Sequence, residues 1–495
     1  MNHHRAIASL AAVGLLLLAQ GVSLRPAQAQ RHVVLSLDRT VQLATDSSLS
    51  AHKYQSVYDA SRHRHLAWQA SRKPQFMVEA TPLSYERYMT RRYLSVENVD
   101  VYRQQRMLFS QAGITATQAM EPWGGQFYGS TELGLLRTFG DEGQTQFMTV
   151  PVAVGYRQEL LFFNPYKWAR QIENIKLSRA EKELAYGIEA VSEQAVAKFF
   201  ALALAQEQQR MAEEYLASCD TIYAIAERRF KIASISQAEL SMLEFEKTNA
   251  RNTLANARIA RLRAVRELAA FLGLEPATEI ELAIPPAAPL RVDAAEAMAL
   301  ARENNPKYLE SRQATAEARR DADRARVEKN LDISLDISLG LNQVADRFAD
   351  AYRHPLSQDM AVVTLSIPLK DWGQRKHAFL AASSAVEAAQ TAEQETARDI
   401  ETEVALSVAD FNERRTIAET SRQALAIAEQ AYAQTLQAFI KGQSDIYSLS
   451  LAQNQWQTAR QNQIASLQNY WMAYYHLRHL TLYDHLHRQP VTHRR

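Results

Sequence analysis

No proline interrupts the chain between Pro165 and Pro276, nor between Pro368 and Pro490. Proline lacks a backbone N–H and clashes with the preceding turn, so it is the strongest helix breaker. Its absence leaves two very long stretches free to run as single helices. Both are rich in Ala, Glu, Gln, Arg and Leu, which favour helix. Apolar residues recur at three- and four-residue steps: Ile188, Val191, Ala195, Phe199 and Leu202 in the first, Ile400, Val404 and Phe411 in the second. That period marks long, coiled-coil-like helices. At about 65 to 70 residues each they would extend roughly 100 Å. Shorter helices are predicted at 38–73, 235–272, 293–330 and 446–482. Two short ones laid end to end match one long one, giving a four-helix cross-section. Only 15 Gly and 14 Pro occur in 495 residues, too few for the many short elements of an α/β enzyme.

The chain repeats its own plan. Phe230-Lys231-Ile232-Ala233, followed by Glu239-Leu240 and Ala250-Arg251, returns 209 positions later as Phe439-Ile440-Lys441-Gly442, followed by Ser448-Leu449 and Ala459-Arg460. Leu37-Asp38 opens the first copy much as Val292-Asp293 opens the second. The expected division is a leader at 1–29, a first repeat at 30–275, a Pro-rich linker at 276–290, a second repeat at 291–484 and a basic tail at 485–495. Each repeat reads as short helix, β segment, long helix, short helix.

The β segments carry the sharpest signal. Leu331, Ile333, Leu335, Ile337, Leu339 and Leu341 alternate with Asp332, Ser334, Asp336, Ser338, Gly340 and Asn342. This period-two run is long enough to cross a bilayer as a tilted strand. Val363, Leu365, Ile367 and Leu369 continue it, as do Val150, Val152, Val154 and Tyr156 in the first copy. A half-buried soluble strand alternates in the same way. Phe162, Phe163, Tyr166, Trp168 and Trp372 cluster where strands meet helices, as interfacial girdles do; ordinary packing at a joint gives the same cluster. The second β segment covers 331–369 and the first 75–160. The first has strand candidates at 76–83, 110–118, 126–139 and 147–160, and Ser84–Met107 reads as a surface loop. Both ends of the first segment join helices, so its strand number is even, two or four.

The N-terminus resembles a cleavable signal peptide. Arg5 precedes an apolar run containing Leu15-Leu16-Leu17-Leu18, and Ala27-Gln28-Ala29 fits the cleavage pattern. No other run is long and apolar enough for a membrane helix, so entry into a membrane requires a barrel. One Cys excludes a disulfide scaffold, and 56 basic against 55 acidic residues give no sign of nucleic acid. No G-x-S-x-G, P-loop, H-E-x-x-H or C-x-x-C occurs, so no catalytic residue, cofactor or metal is assigned. His476 and His479 have metal-ligand spacing, with no acidic or Cys partner fixed nearby except Asp484.

With these elements in order, the chain resembles the TolC-family outer-membrane efflux proteins. The carriers are the duplication, Asn304-Asn305-Pro306, Phe162-Phe163-Asn164-Pro165-Tyr166-Lys167-Trp168-Ala169, Ile367-Pro368-Leu369-Lys370-Asp371-Trp372-Gly373, and Gly442 followed by Leu449, Ala452-Gln453 and Ala459-Arg460. The resemblance implies a mainly α fold with a transmembrane β-barrel portion shared by a homotrimer, and a long antiparallel helical tunnel in the periplasm. It further implies a periplasmic adaptor (membrane fusion) protein, an inner-membrane pump such as a resistance-nodulation-division transporter, outer-membrane lipids around the barrel, and transport without chemistry.

On that reading Asp332, Ser334, Asp336, Ser338, Asn342, Thr364 and Ser366 line the lumen, and rings of Asp332 and Asp336 would favour cations. The far helix tips would gate the tunnel and dock the adaptor: Arg229, Lys231, Ala233 and Ser234 in one copy, Lys441, Gly442, Gln443, Ser444 and Asp445 in the other. The family's acidic gate positions carry Ser444, Ser448 and Leu451 here. The expected gate is therefore Asp445 paired with Lys441, Lys231 or Arg229. Small-molecule efflux is favoured. A protein-secreting duct and a periplasmic coiled-coil adaptor or structural protein are the alternatives.

Overall fold

The computed structural model describes residues 32–94, 99–140, 143–232, 235–275, 278–329, 331–441, 443–444 and 446–491. The leader, Ala233, Ser234, Gly442 and Asp445 lie outside them. In chain order the elements are β1 (His32–Ser36), α1 (Leu37–Ser47), α2 (Leu49–Ser71), β2 (Gln75–Leu94), β3 (Val99–Met120), β4 (Gly125–Phe139), β5 (Thr145–Gln158), α3 (Pro165–Lys231), α4 (Gln237–Leu272) and β6 (Glu279–Ala283). The second half holds α5 (Ala294–Asn304), α6 (Pro306–Glu328), β7 (Asp332–Ala345), β8 (Leu356–Ser366), α7 (Gln374–Ile440) and α8 (Ile446–Thr481), then two-residue strands β9 (Tyr483–Asp484) and β10 (Gln489–Pro490).

The two long helices, α3 and α7, have 67 residues each, and α4 and α8 have 36 each. The other two predicted helices are each broken once. Ser48 is extended (ψ 146°) and its hydroxyl accepts from Ala51 N at 3.1 Å, separating α1 from α2. Asn305 is extended (ψ 124°), as a residue before proline prefers, and its side chain caps α6 at Lys307 N, 3.1 Å.

The chain forms two compact units. One comprises residues up to Ala51, Val191–Pro289 and Arg414–Met472. Its core buries Val191, Phe199, Phe200 and Leu202 of α3, Leu268 and Leu272 of α4, Leu35 and Ile280. Within the proline-rich segment, β6 pairs in parallel with β1, Val33 opposite Ile280. The carbonyls that follow are held by α8: Tyr470 Oη donates to Ala288 O at 3.0 Å, and burial pushes that hydroxyl up to about 12. Arg460 is buried between carboxylates, paired with Glu207 and with Glu214 at 2.6 Å, its guanidinium over the Trp456 ring.

The other unit comprises His52–Ala190, Leu290–Glu413 and Ala473 onward. It contains one antiparallel sheet of six strands in the order β2-β3-β4-β5-β7-β8. The first β segment therefore supplies four strands. Ser84–Met107 is not a loop: β2 and β3 pair through it from Ser84↔Phe109 to Leu94↔Val99. Its Tyr, Val, Thr and Met suit a strand, but its arginines obscure the alternation. Asn305 is buried, donating to Leu480 O at 3.2 Å, while Asn304 accepts from Lys182 Nζ at 2.8 Å. Beyond α8 the chain folds back and Asp484 gathers Tyr474 Oη (2.6 Å), His487 N (2.9 Å) and Arg478, which also binds the buried Glu189.

Candidate functional site

Strand register fixes which side chains share a face of the sheet, because alternate residues point to opposite sides. On β7 and β8, Asp332 lies opposite Ser366, Ser334 opposite Thr364 and Asp336 opposite Val362. All seven sequence-predicted lumen residues, Asp332, Ser334, Asp336, Ser338, Asn342, Thr364 and Ser366, thus lie on one face. Carried across β5, β4 and β3 to β2, the same face holds Arg157, Gln126, Tyr128, Ser130, Glu132, Thr115, Thr117, Gln75 and Glu79. The opposite face holds Ile333, Leu335, Ile337, Leu339, Val363 and Leu365, then Val152, Val154, Leu133, Leu135, Leu108, Ile114, Phe76 and Val78. On β8 the charged Asp359, opposite Leu339, breaks this pattern.

The expected run Val150 to Tyr156 does not keep one face. A bulge between Thr149 and Val152 turns Val150 to the polar side, and Pro151 sits within it. Proline has no ladder N–H to give, so a bulge is where a sheet accommodates it.

Aromatic residues bracket the apolar face. At the end next to the helices, Trp123, Phe127 and Tyr156 form one cluster with ring centroids 5.2–6.0 Å apart. At the other end Phe147, Phe348 and Tyr352 form a second, at 5.7 and 6.1 Å. From Tyr156 to Phe147 the strand runs about 28 Å, and a tilt of about 40° makes that about 21 Å of height, close to the apolar band of outer-membrane barrels. Of the girdle residues read from sequence, Phe162 and Trp372 are exposed. Phe163 is buried, and Trp168 donates to Asp323 at 3.1 Å.

Two ion-pair knots fix the strand–helix joints. Glu121, in the β3–β4 turn, takes Arg72 at the end of α2 and Arg170 of α3 (2.8 Å). Arg375 of α7 donates to Glu328 O at the end of α6 and to Asp332 Oδ2, both at 2.8 Å. Trp372 beside it holds a left-handed φ of 54°, unusual for a non-glycine residue, with Lys370 Nζ 3.9 Å from its ring centre.

The predicted carboxylate rings do not stand free. Asp332 pairs with Arg375. Asp336 pairs with Arg157 at 2.8 Å across the β5–β7 ladder and accepts from Tyr128 Oη at 2.8 Å. The polar-face carboxylates without a basic partner among the described residues are Glu79, Glu86 and Glu132. Glu79 and Glu132 lie in one row on either side of Gly113. Sequence reading missed all three, since their face follows only from pairing to β7.

At the tips, Arg229 lies over the Phe439 ring at 5.9 Å, and Lys231 and Lys441 are exposed. Gln443 N donates to Ala438 O at 2.8 Å, a wide backbone closure at the end of α7. Ser236 and Glu239 form a reciprocal cap on α4, and the Ser236 N–H and hydroxyl hold the Glu239 carboxyl below its usual range.

Residues 297–481 match the family model described as outer membrane efflux protein. No curated protein matches the sequence. Among solved structures the fold is similar to the outer membrane protein VceC of Vibrio cholerae (14% identity, 90% of this chain and 95% of that one, TM-score 0.64). It is also similar to the CmeC outer membrane channel of Campylobacter jejuni (13%, 90% and 85%, TM-score 0.65). The open-state MtrE outer membrane channel of Neisseria gonorrhoeae is a further neighbour (13%, 92% and 90%, TM-score 0.53).

Proposed function

We propose that, in a chain whose residues 297–481 match the outer membrane efflux protein family model and whose fold is similar to that of solved outer-membrane channels, three copies close their sheets into one barrel in the outer membrane and pass small toxic molecules outward. The observation that carries this is the two-faced sheet with both edges, β2 and β8, unpaired. An open edge is not tolerated in lipid. Six strands are fewer than the eight of the smallest outer-membrane barrels, so one copy does not close on itself. The strands alternate in direction, so β2 and β8 run oppositely, and β8 of one copy meets β2 of the next as an antiparallel pair. Three copies then give eighteen strands, a backbone radius of about 18 Å at a tilt of about 40°.

The polar face becomes the lumen. Its cation preference rests on Glu79, Glu86 and Glu132 rather than on the arginine-paired Asp332 and Asp336. The tips around Arg229, Lys231, Lys441, Gln443 and Ser444 dock a periplasmic adaptor that reaches an inner-membrane pump of the resistance-nodulation-division kind. Asp445, paired with Lys441, Lys231 or Arg229, holds the tunnel shut. Solutes pass without covalent chemistry.

The test is a deletion strain. Loss of the protein is expected to raise intracellular accumulation of a fluorescent dye, with recovery on re-expression and the protein recovered in the outer-membrane fraction. Unchanged dye accumulation together with loss of a secreted protein favours the protein-secreting duct. Recovery in the soluble periplasm refutes the channel.

A further inference from the structure

The apolar face of the sheet ends, away from the helices, in arginines. Arg87 of β2 lies directly opposite Arg106 of β3. One row nearer the helices, Tyr85 lies opposite Leu108, and Leu108 opposite Arg137 of β4. Register places all three arginines on the apolar side, on three neighbouring strands, and all three are exposed.

Like charges facing each other across a ladder destabilise it, yet this protein supplies no carboxylate to them among the described residues. Arg87 reaches only the neutral amide oxygen of Gln104, at 2.7 and 2.9 Å. Arg137 lies over the Phe139 ring at 5.4 Å. Elsewhere on or beside the sheet Arg91 is neutralised by Asp100, Arg157 by Asp336 and Arg375 by Asp332. The trio sits where the apolar band stops. Exposed Tyr85 and Phe139 lie in the same two rows, and Val78 and Ile114 continue the apolar strip toward the helices.

We propose that Arg87, Arg106 and Arg137 bind the phosphate groups of an outer-leaflet glycolipid, whose acyl chains lie on the apolar strip beneath. Arginine suits this ligand because its planar fork binds phosphate oxygens in pairs. The three guanidinium groups supply the positive charge, and the phosphates relieve the repulsion that the ladder otherwise carries. The site rests on the reading of the sheet as an outer-membrane barrel with its helix-free end outward.

The test uses the full-length protein purified from membranes, with native mass spectrometry reading bound lipid. Diphosphorylated lipid A, the same lipid dephosphorylated, and inorganic phosphate as competitor are the probes. The variants are the triple Arg87→Gln/Arg106→Gln/Arg137→Gln and the matching triple to Lys. Lipid A is expected to bind the wild type at least tenfold more tightly than the Gln triple, with the Lys triple between. Dephosphorylated lipid A is expected to bind all three alike and weakly. Equal lipid A affinity in the wild type and the Gln triple overturns the site. So does displacement by an equal concentration of inorganic phosphate, which marks a free-phosphate site. Outer-membrane flotation is run on every variant. Failure of the wild type to float overturns the barrel reading and the site with it, whereas flotation with equal affinities overturns the site alone.

Discussion

The Arg157–Asp336 pair gives the most quantitative handle on the channel reading. As a 2.8 Å pair it adds no net charge to the polar face of the sheet. Arg157→Gln exposes one carboxylate per copy, three around the ring. A barrel radius of about 18 Å less about 6 Å of side chain puts those charges about 12 Å from the axis. Three unit charges at that distance in water lower a cation's energy on the axis by about 1 kcal/mol before screening. Screening leaves about 0.7 kcal/mol at 0.01 M salt and about 0.3 kcal/mol at 0.1 M. Because cations gain what anions lose, the permeability ratio shifts toward cations about tenfold at the lower salt and about threefold at the higher. Asp336→Asn leaves Arg157 unmatched and shifts the ratio by a similar factor toward anions. The assay is the reversal potential across a planar bilayer under a salt gradient. Reversal potentials identical to wild type for both variants at low salt would refute the placement of this pair on the lumen wall.

Other expectations concern stability. Arg460→Ala takes from the Glu207 carboxylate, 12% exposed, one of its two partners and leaves Arg210 at 2.9 Å; a loss of about 1–3 kcal/mol is expected from removing such a charged hydrogen bond, read as a lower midpoint in denaturant. Asn305→Ala removes both the cap of α6 and the bond to Leu480 O, at a cost of about 1–3 kcal/mol by the same measurement. Acid acts through the C-terminal fold. Burial lowers the His485 pKa below its ordinary value, so the unfolded chain takes up the proton first and stability falls as pH drops below about 6.5. His485→Gln should flatten the melting temperature between pH 7 and 5. For Asp484, burial acts upward but is outweighed by Tyr474, His487 and Arg478, so its pKa is depressed. Its contribution, present above about pH 4, is lost only in stronger acid, and Asp484→Asn should remove that second step.

The long helices were legible because a 3.6-residue period sustained over 67 residues has no competitor. The strand from Leu331 was equally plain, since its alternation separates Leu and Ile from Asp and Ser without a fault. The β2–β3 hairpin was hidden because Arg91, Arg92 and Arg103 interrupt any apolar face between Tyr85 and Tyr102. The break before Pro306 follows from the residue itself. The break at Ser48 does not, since serine is tolerated in helices and the bond from Ala51 N to its hydroxyl, which caps α2, is not written in the residue type. The polar-face residues on β7 and β8 could be named from one strand's pattern. Glu79, Glu132 and the Arg157–Asp336 pair could not, because they depend on registers that join the two halves of the chain and on a bulge at Pro151 that shifts the face by one residue.

The central claim is that open six-stranded sheets from three copies close into one ring. Electron cryo-microscopy of the protein purified from outer membranes and placed in lipid nanodiscs tests it directly. A threefold particle with eighteen strands in the barrel cross-section is the predicted result. A twelve-stranded ring, or a monomer whose sheet stays open, would contradict it.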